Sequence, residues 1–147
     1  MIDRAPTTEL YLLDTHVWIW AYHGERDRFS RRGVESISSA AAQRRTRVSA
    51  ISVAEVGRAV ARGRISIEVT IDAWIAAAVA AFSERVIPID WRIALESTRL
   101  PDLAHKDPGD RFLVATARAL SARLVTADDV LLAYGHTGHV EVLDPRK

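Results

Sequence analysis

The sequence predicts an α/β fold, a sandwich of helices on a mostly parallel sheet of five strands. Three observations predict it. Short apolar runs alternate with longer helical stretches along the chain, the order that sets parallel strands side by side with helices crossing between them. The first run, Leu10-Tyr11-Leu12-Leu13, is continuously apolar, as a strand buried on both faces must be. Acids stand where strands give way to helices, at the end of the sheet where such folds bind ligands.

Residues 1–9 read as a loose lead-in to one domain spanning 1–147. After the first strand comes Asp14, then a strongly apolar helix through Trp18-Ile19-Trp20. Residues 24–29 are a charged loop. Ser30 caps a helix running to about Arg45, and Arg47-Val48-Ser49-Ala50-Ile51 is the second strand. Ser52-Val53-Ala54-Glu55 has the form of a capping box, and the helix it opens sets Val53, Val56 and Val60 against Glu55, Arg58 and Arg62. Gly63 closes that helix, and residues 70–83 form an alanine-rich one. Residues 86–90 are a third strand whose Pro88 places it at an edge. A short helix from Trp91 stops at Pro101. Asp107 is an N-cap with Pro108 at the first helical position, and Leu113, Ala117 and Leu120 make the buried stripe of the helix that follows. Leu124-Val125-Thr126 is a fourth strand, Asp128 turns out of it into a short helix, and residues 140–143 are a fifth.

Composition narrows the chemistry. The chain has no cysteine, which excludes a disulfide framework and a thiolate metal site. No apolar run approaches the roughly 20 residues of a membrane helix, and there is no signal-peptide core, so a cytoplasmic protein without a membrane partner is expected. The net charge of +1 says nothing about partners. Of the 20 basic residues only Lys106 and Lys147 are lysines; the other 18 are arginine, whose planar fork suits phosphate. Compositional bias, which the abundance of alanine fits, explains the same count.

Asp14, Glu55, Asp110 and Asp128 all fall at one end of the predicted sheet. Like charges do not share a dry pocket unless some take up protons or a cation joins them. A hard divalent cation, Mg²⁺ or Mn²⁺, suits an all-carboxylate site, and one or two such ions clamp a phosphodiester for hydrolysis. Each acid also has a capping explanation, worth about 1 kcal/mol to a helix. That explanation must be invoked four times, and nothing in it makes the helices point at one crevice. Asp107 reads as a cap, His105 as facing solvent, and His16 stays open between phosphate and solvent. Trp18, Trp20, Trp74 and Trp91 read as core or dimer surface, and Arg44, Arg45 and Arg47 as a solvated basic face.

Four segments carry a resemblance. Leu12-Leu13-Asp14-Thr15-His16-Val17, Ser52-Val53-Ala54-Glu55, the run His105-Lys106-Asp107-Pro108-Gly109-Asp110-Arg111, and Leu124-Val125-Thr126-Ala127-Asp128 resemble, in order and spacing, the four motifs of PIN-domain ribonucleases, most of all the VapC-type toxins. The resemblance implies a PIN-like three-layer sandwich with strand order 3-2-1-4-5. It implies a Mg²⁺- or Mn²⁺-dependent endoribonuclease acting on RNA, a homodimer, and silencing by a cognate VapB-type antitoxin. Carried over residue by residue, Asp14, Glu55 and Asp110 are the principal metal-site acids and Asp128 the fourth, more variable one. Arg58 and Arg111, each within a turn of an acid, are expected to contact phosphate, with Arg62 further out and Thr15 and Thr126 also expected at the substrate. Gly109 stands where this family often has an aromatic or larger apolar residue, which predicts a looser helix start.

Other functions fit less well. A phospho-acceptor receiver domain needs a lysine by the last strand, and neither lysine is there. A haloacid-dehalogenase-type phosphatase wants two aspartates flanking one residue after the first strand; this chain has Asp14-Thr15-His16. A stand-alone RNA-processing nuclease, or a non-catalytic RNA-binding or regulatory α/β domain, remains the alternative to a toxin.

Overall fold

A computed structural model describes residues 8–147. Five strands, β1 (Tyr11–Leu13), β2 (Thr46–Ser49), β3 (Val86–Ile87), β4 (Arg123–Val125) and β5 (Val142–Leu143), form one sheet in the order 3-2-1-4-5, every pair parallel. Seven α-helices lie among the described residues: α1 (Thr15–His23), α2 (Arg31–Ala42), α3 (Ala50–Ala61), α4 (Ile71–Phe82), α5 (Trp91–Ser97), α6 (Pro108–Leu120) and α7 (Asp129–Gly135). The charged loop after α1 contains a 3₁₀ turn, Arg26–Arg28.

The apolar runs explain the layering. Adjacent residues of a strand face opposite ways, so Leu12 joins a core with Leu113, Val114, Leu124 and Leu131 under α5, α6 and α7. Leu13 joins another with Val17, Trp18, Val48, Val56 and Trp74 under α1 to α4. All of these except Trp74 are fully buried. The Trp18 indole N–H donates to the Ala78 carbonyl at 3.0 Å, so the largest core side chain is also satisfied. The central position of β1, between β2 and β4, puts the residue after it at the middle of the sheet's carboxyl end.

The structure corrects several expectations. Helix α3 starts directly from the strand, with Ser49 as its N-cap accepting from the Ile51 N–H at 3.1 Å. Ser52 therefore caps nothing and Glu55 closes no capping box; Ser52 is fully buried against α1. Strand β3 stops at Ile87 because Pro88 has no N–H for the ladder, and it is an edge strand as its proline predicted. Arg45 is not on a solvated face. It is buried over the Tyr11 ring and donates to Gln43 and to the Glu9 carbonyl, 2.8 Å away. Of the lead-in only residues 8 and 9 are described, and Glu9 is pinned, its carboxylate 3.1 Å from Arg123; residues 1–7 lie outside the described part.

Candidate active site

Asp14 follows β1 and caps α1. Its Oδ1 accepts the Thr15 N–H at 2.7 Å and its Oδ2 accepts the Thr126 hydroxyl at 2.7 Å. Thr126, fully buried just past β4, also accepts the Asp128 N–H at 3.0 Å. One hydroxyl thus ties the first carboxylate to the turn that carries the fourth.

Glu55 projects from the second turn of α3. Its Oε1 accepts the Thr15 hydroxyl at 3.1 Å, and that hydroxyl lies 2.8 Å from Ser52 Oγ. With Ser52 donating to Thr15 and Thr15 to Glu55, both bonds are made. Thr15 and Thr126, expected at the substrate from the sequence, are instead buried and hold carboxylates in place.

Asp110 sits in the first turn of α6. Asp107 caps that helix, its Oδ1 accepting from Gly109 at 2.9 Å and Asp110 at 3.3 Å. The helix start is tight rather than loose. A Cβ on Gly109 would lie 3.1 Å from Glu55 Oε1 and 3.2 Å from Asp107 Oδ1, so the bare glycine is what lets α6 close onto Glu55. His105 does not face solvent: its Nε2 is 2.6 Å from Asp110 Oδ2. His105, Asp107 and Asp110 each offer a ligand atom within 4.8 Å of the others. Sequence reasoning missed this use of His105, although it stands in the same short run as the cap and the acid.

Asp128 is a cap in fact, its Oδ1 accepting from Val130 at 2.9 Å and Leu131 at 3.0 Å. Its charge still acts on the site, pushing the Asp14 and Asp110 carboxyls up. Arg111 does not reach for phosphate. Its Nε donates to the Ser97 carbonyl at 2.7 Å and its Nη1 to those of Leu103 and His105 at 2.9 and 3.0 Å. Arg58 and Arg62 are exposed along a groove of about 630 Å³ that runs beside Glu55.

Electrostatics sets the site apart from four ordinary caps. Burial pushes the Asp14, Glu55 and Asp110 carboxyls above the usual carboxylate range. Hydrogen bonds from Thr126, Thr15 and His105 oppose the shift, and the neighbouring acids add to it. Among the described residues no lysine or arginine forms an ion pair with any of the three. A buried carboxylate cluster without its own cation, rich in hard oxygen donors, is chemically fitted to a divalent ion such as Mg²⁺ or Mn²⁺.

A family model described as "PIN domain" matches residues 11–136. The chain belongs to the PIN-domain family. Among curated relatives, "Ribonuclease VapC22" of Mycobacterium tuberculosis (strain ATCC 25618 / H37Rv) is 31% identical over 131 residues, covering 89% of this chain and 96% of that one. Two solved structures share the fold. FitAcB from Neisseria gonorrhoeae superposes with a TM-score of 0.65 at 23% identity, over 92% of this PIN domain and 98% of that chain. VapBC2 from Rickettsia felis, bound to a DNA fragment from its promoter, gives 0.67 at 14%, over 91% and 97%.

The raised carboxyls make a thermodynamic prediction for this PIN domain. Below the ordinary carboxylate values near 4, Asp14, Glu55 and Asp110 are neutral in both states and their contribution to stability is complete. As pH rises through their higher folded-state values the fold must hold unneutralised charge, and that contribution is lost. A divalent cation should offset this loss, by about 2.7 kcal/mol at a hundred times its Kd. Thermal melts should therefore show Mg²⁺ or Mn²⁺ raising Tm at pH 8 and hardly at pH 5. An equal rise at both would mean that the ion binds elsewhere.

Proposed function

We propose that this PIN domain, residues 1–147, is a divalent-cation-dependent endoribonuclease, the toxin of a toxin–antitoxin pair held silent by a VapB-type antitoxin. The observation that carries the reading is the convergence of Asp14, buried, with Glu55 and Asp110, half-buried, Asp14 raising the carboxyls of the other two and none paired with a lysine or arginine among the described residues. The relative named a ribonuclease and the toxin–antitoxin complexes among the structures of the same fold support the assignment to a toxin.

Asp14, Glu55 and Asp110 would hold the ion, with Asp128 reaching it directly or through water by its free Oδ2. The bound ion supplies a Lewis acid to the phosphodiester and makes water acidic enough to attack it. The chain's own part is positioning. Thr126 fixes one oxygen of Asp14, Thr15 one of Glu55, and His105 one of Asp110, so each carboxylate is oriented before any ligand arrives. Arg58 and Arg62 draw the RNA backbone toward an otherwise anionic centre. We assign the protein to the cytoplasm; no described helix is long and apolar enough to cross a membrane. A homodimer has a candidate face on α5, where Trp91 is 70% and Leu95 43% exposed.

The test is cleavage of total RNA by the purified protein with Mg²⁺ or Mn²⁺, with EDTA, and with Asp110→Asn. Discrete fragments should appear only with the ion, and the substitution should slow them about a hundredfold. Cleavage that survives both chelation and the substitution would remove the carboxylates from the chemistry.

A further inference from the structure

Arg58 and Arg62 lie three and seven residues beyond Glu55 on α3, so they continue its face for about 10 Å along the helix axis. Arg64 extends the row just past the helix end. All three are exposed, and none of their guanidinium groups has a hydrogen-bond or ion-pair partner among the described residues. Arg26, Arg32, Arg44 and Arg85 also lack a side-chain partner among the described residues, but none of them lines this groove. Arg31, Arg99, Arg123 and Arg146 pair with carboxylates, and Arg47 and Arg111 hold carbonyls. Three free guanidinium groups in a row repel one another and favour an anionic occupant.

The opposite wall of the same groove is aromatic. Trp20 is half-buried, held edge-on by Phe29 at 6.2 Å, with the Arg28 guanidinium 5.1 Å from its ring centre. His16, one turn earlier on α1 and next but one to Asp14, is exposed, its ring 5.9 Å from Trp20. The groove therefore carries charge on one side and ring faces on the other, with the carboxylates at its end. On the other side of the carboxylates Arg111 is turned inward, onto the carbonyls of Leu103 and His105.

We propose that this groove is a track for single-stranded RNA on one side of the scissile phosphate, with Arg58, Arg62 and Arg64 along the backbone and the nearest base stacked on His16 and Trp20. The proposal rests on the nuclease reading for its substrate class and goes beyond it in assigning the residues of a backbone track and a base subsite. Paired bases have no free face to offer a ring, whereas an unpaired base stacks readily on aromatic and guanidinium planes. A cleft of about 630 Å³ has room for a nucleotide or two between its walls. Every base has a π-face, so the subsite selects an unpaired nucleotide rather than a particular base.

The experiment measures binding of the metal-free protein in chelator to a labelled oligouridylate of about eight nucleotides, to the same strand with a single abasic position walked along it, and to an RNA duplex. Single strands should bind better than duplex. Replacing Arg58, Arg62 and Arg64 together by Ala should flatten the slope of log affinity against log salt by about two. His16→Ala and Trp20→Leu should each weaken binding about fivefold or more, Trp20→Phe should restore most of it, and one abasic position should abolish the difference. His16 is exposed, so its variant tests the subsite even if Trp20→Leu fails to fold. Equal affinity for duplex, an unchanged salt slope, or groove variants that weaken only a protein partner would each overturn the track. Because the binding assay contains no metal, it reads the track alone: binding as expected with no cleavage once Mg²⁺ or Mn²⁺ is added would count against the nuclease reading alone, and metal-dependent cleavage with groove variants that bind like wild type would count against the track alone.

Discussion

Asp14→Asn should lower RNA cleavage about a thousandfold or more and, at neutral pH without metal, leave the fold more stable than wild type. Asp14 is only 7% exposed, and burial holds its carboxyl above the ordinary range. At pH 7.5 the fold therefore bears the cost of the raised carboxyl, and the amide removes that cost while keeping the shape. The carbonyl oxygen still accepts from the Thr15 N–H, and the Thr126 hydroxyl turns to accept from the amide. The gain should vanish as pH falls below about 4, where Asp14 is neutral in both states. Activity and stability would then move in opposite directions, as at sites built from unfavourable groups. Melting curves of both proteins in chelator at pH 7.5 and at acid pH decide it. A lower Tm for the variant at pH 7.5, or cleavage at the wild-type rate, would remove Asp14 from the proposed role.

Arg111→Ala should cost about 3 kcal/mol of stability, a fall in Tm of roughly 6–12 °C, and should leave the salt dependence of RNA binding unchanged. The segment between α5 and α6 has no helix or strand of its own. The Tyr134 hydroxyl holds the Pro101 carbonyl at 2.7 Å, and one guanidinium holds those of Ser97, Leu103 and His105. Removal leaves those carbonyls unpaired and frees His105 from its place against Asp110. Arg111→Lys should rescue little, since one ammonium cannot serve three acceptors spread around a planar fork. A flattened salt slope with unchanged stability would return Arg111 to the phosphate path.

What could be read in advance followed from rules that act locally or repeat along the chain. The alternation of apolar runs and helices carries the fold class, and the caps at Asp14, Ser30, Asp107 and Asp128 are visible because a cap acts on the residues just after it. Ser52-Val53-Ala54-Glu55 misled for the same reason. Two serines three residues apart both suit a helix start, and the choice of Ser49 is made by a distant contact, the burial of Ser52 against Thr15. The acids Asp14, Glu55 and Asp110 were legible as a set, and the structure brings them together. The uses of Thr15, Thr126, Arg111 and His105 were not, because each depends on which carbonyl or carboxylate another segment presents. No periodicity encodes that.

The bond between Thr126 and Asp14 spans 112 positions of sequence. A ribosome adding about 5–20 residues per second needs roughly 6–22 s to travel from one to the other. Glu55 and Asp110 are made before Thr126, but until Thr126 is in place the first carboxylate lacks the anchor that orients it. A nascent chain with the activity proposed above would therefore have no complete site until near the end of its own synthesis.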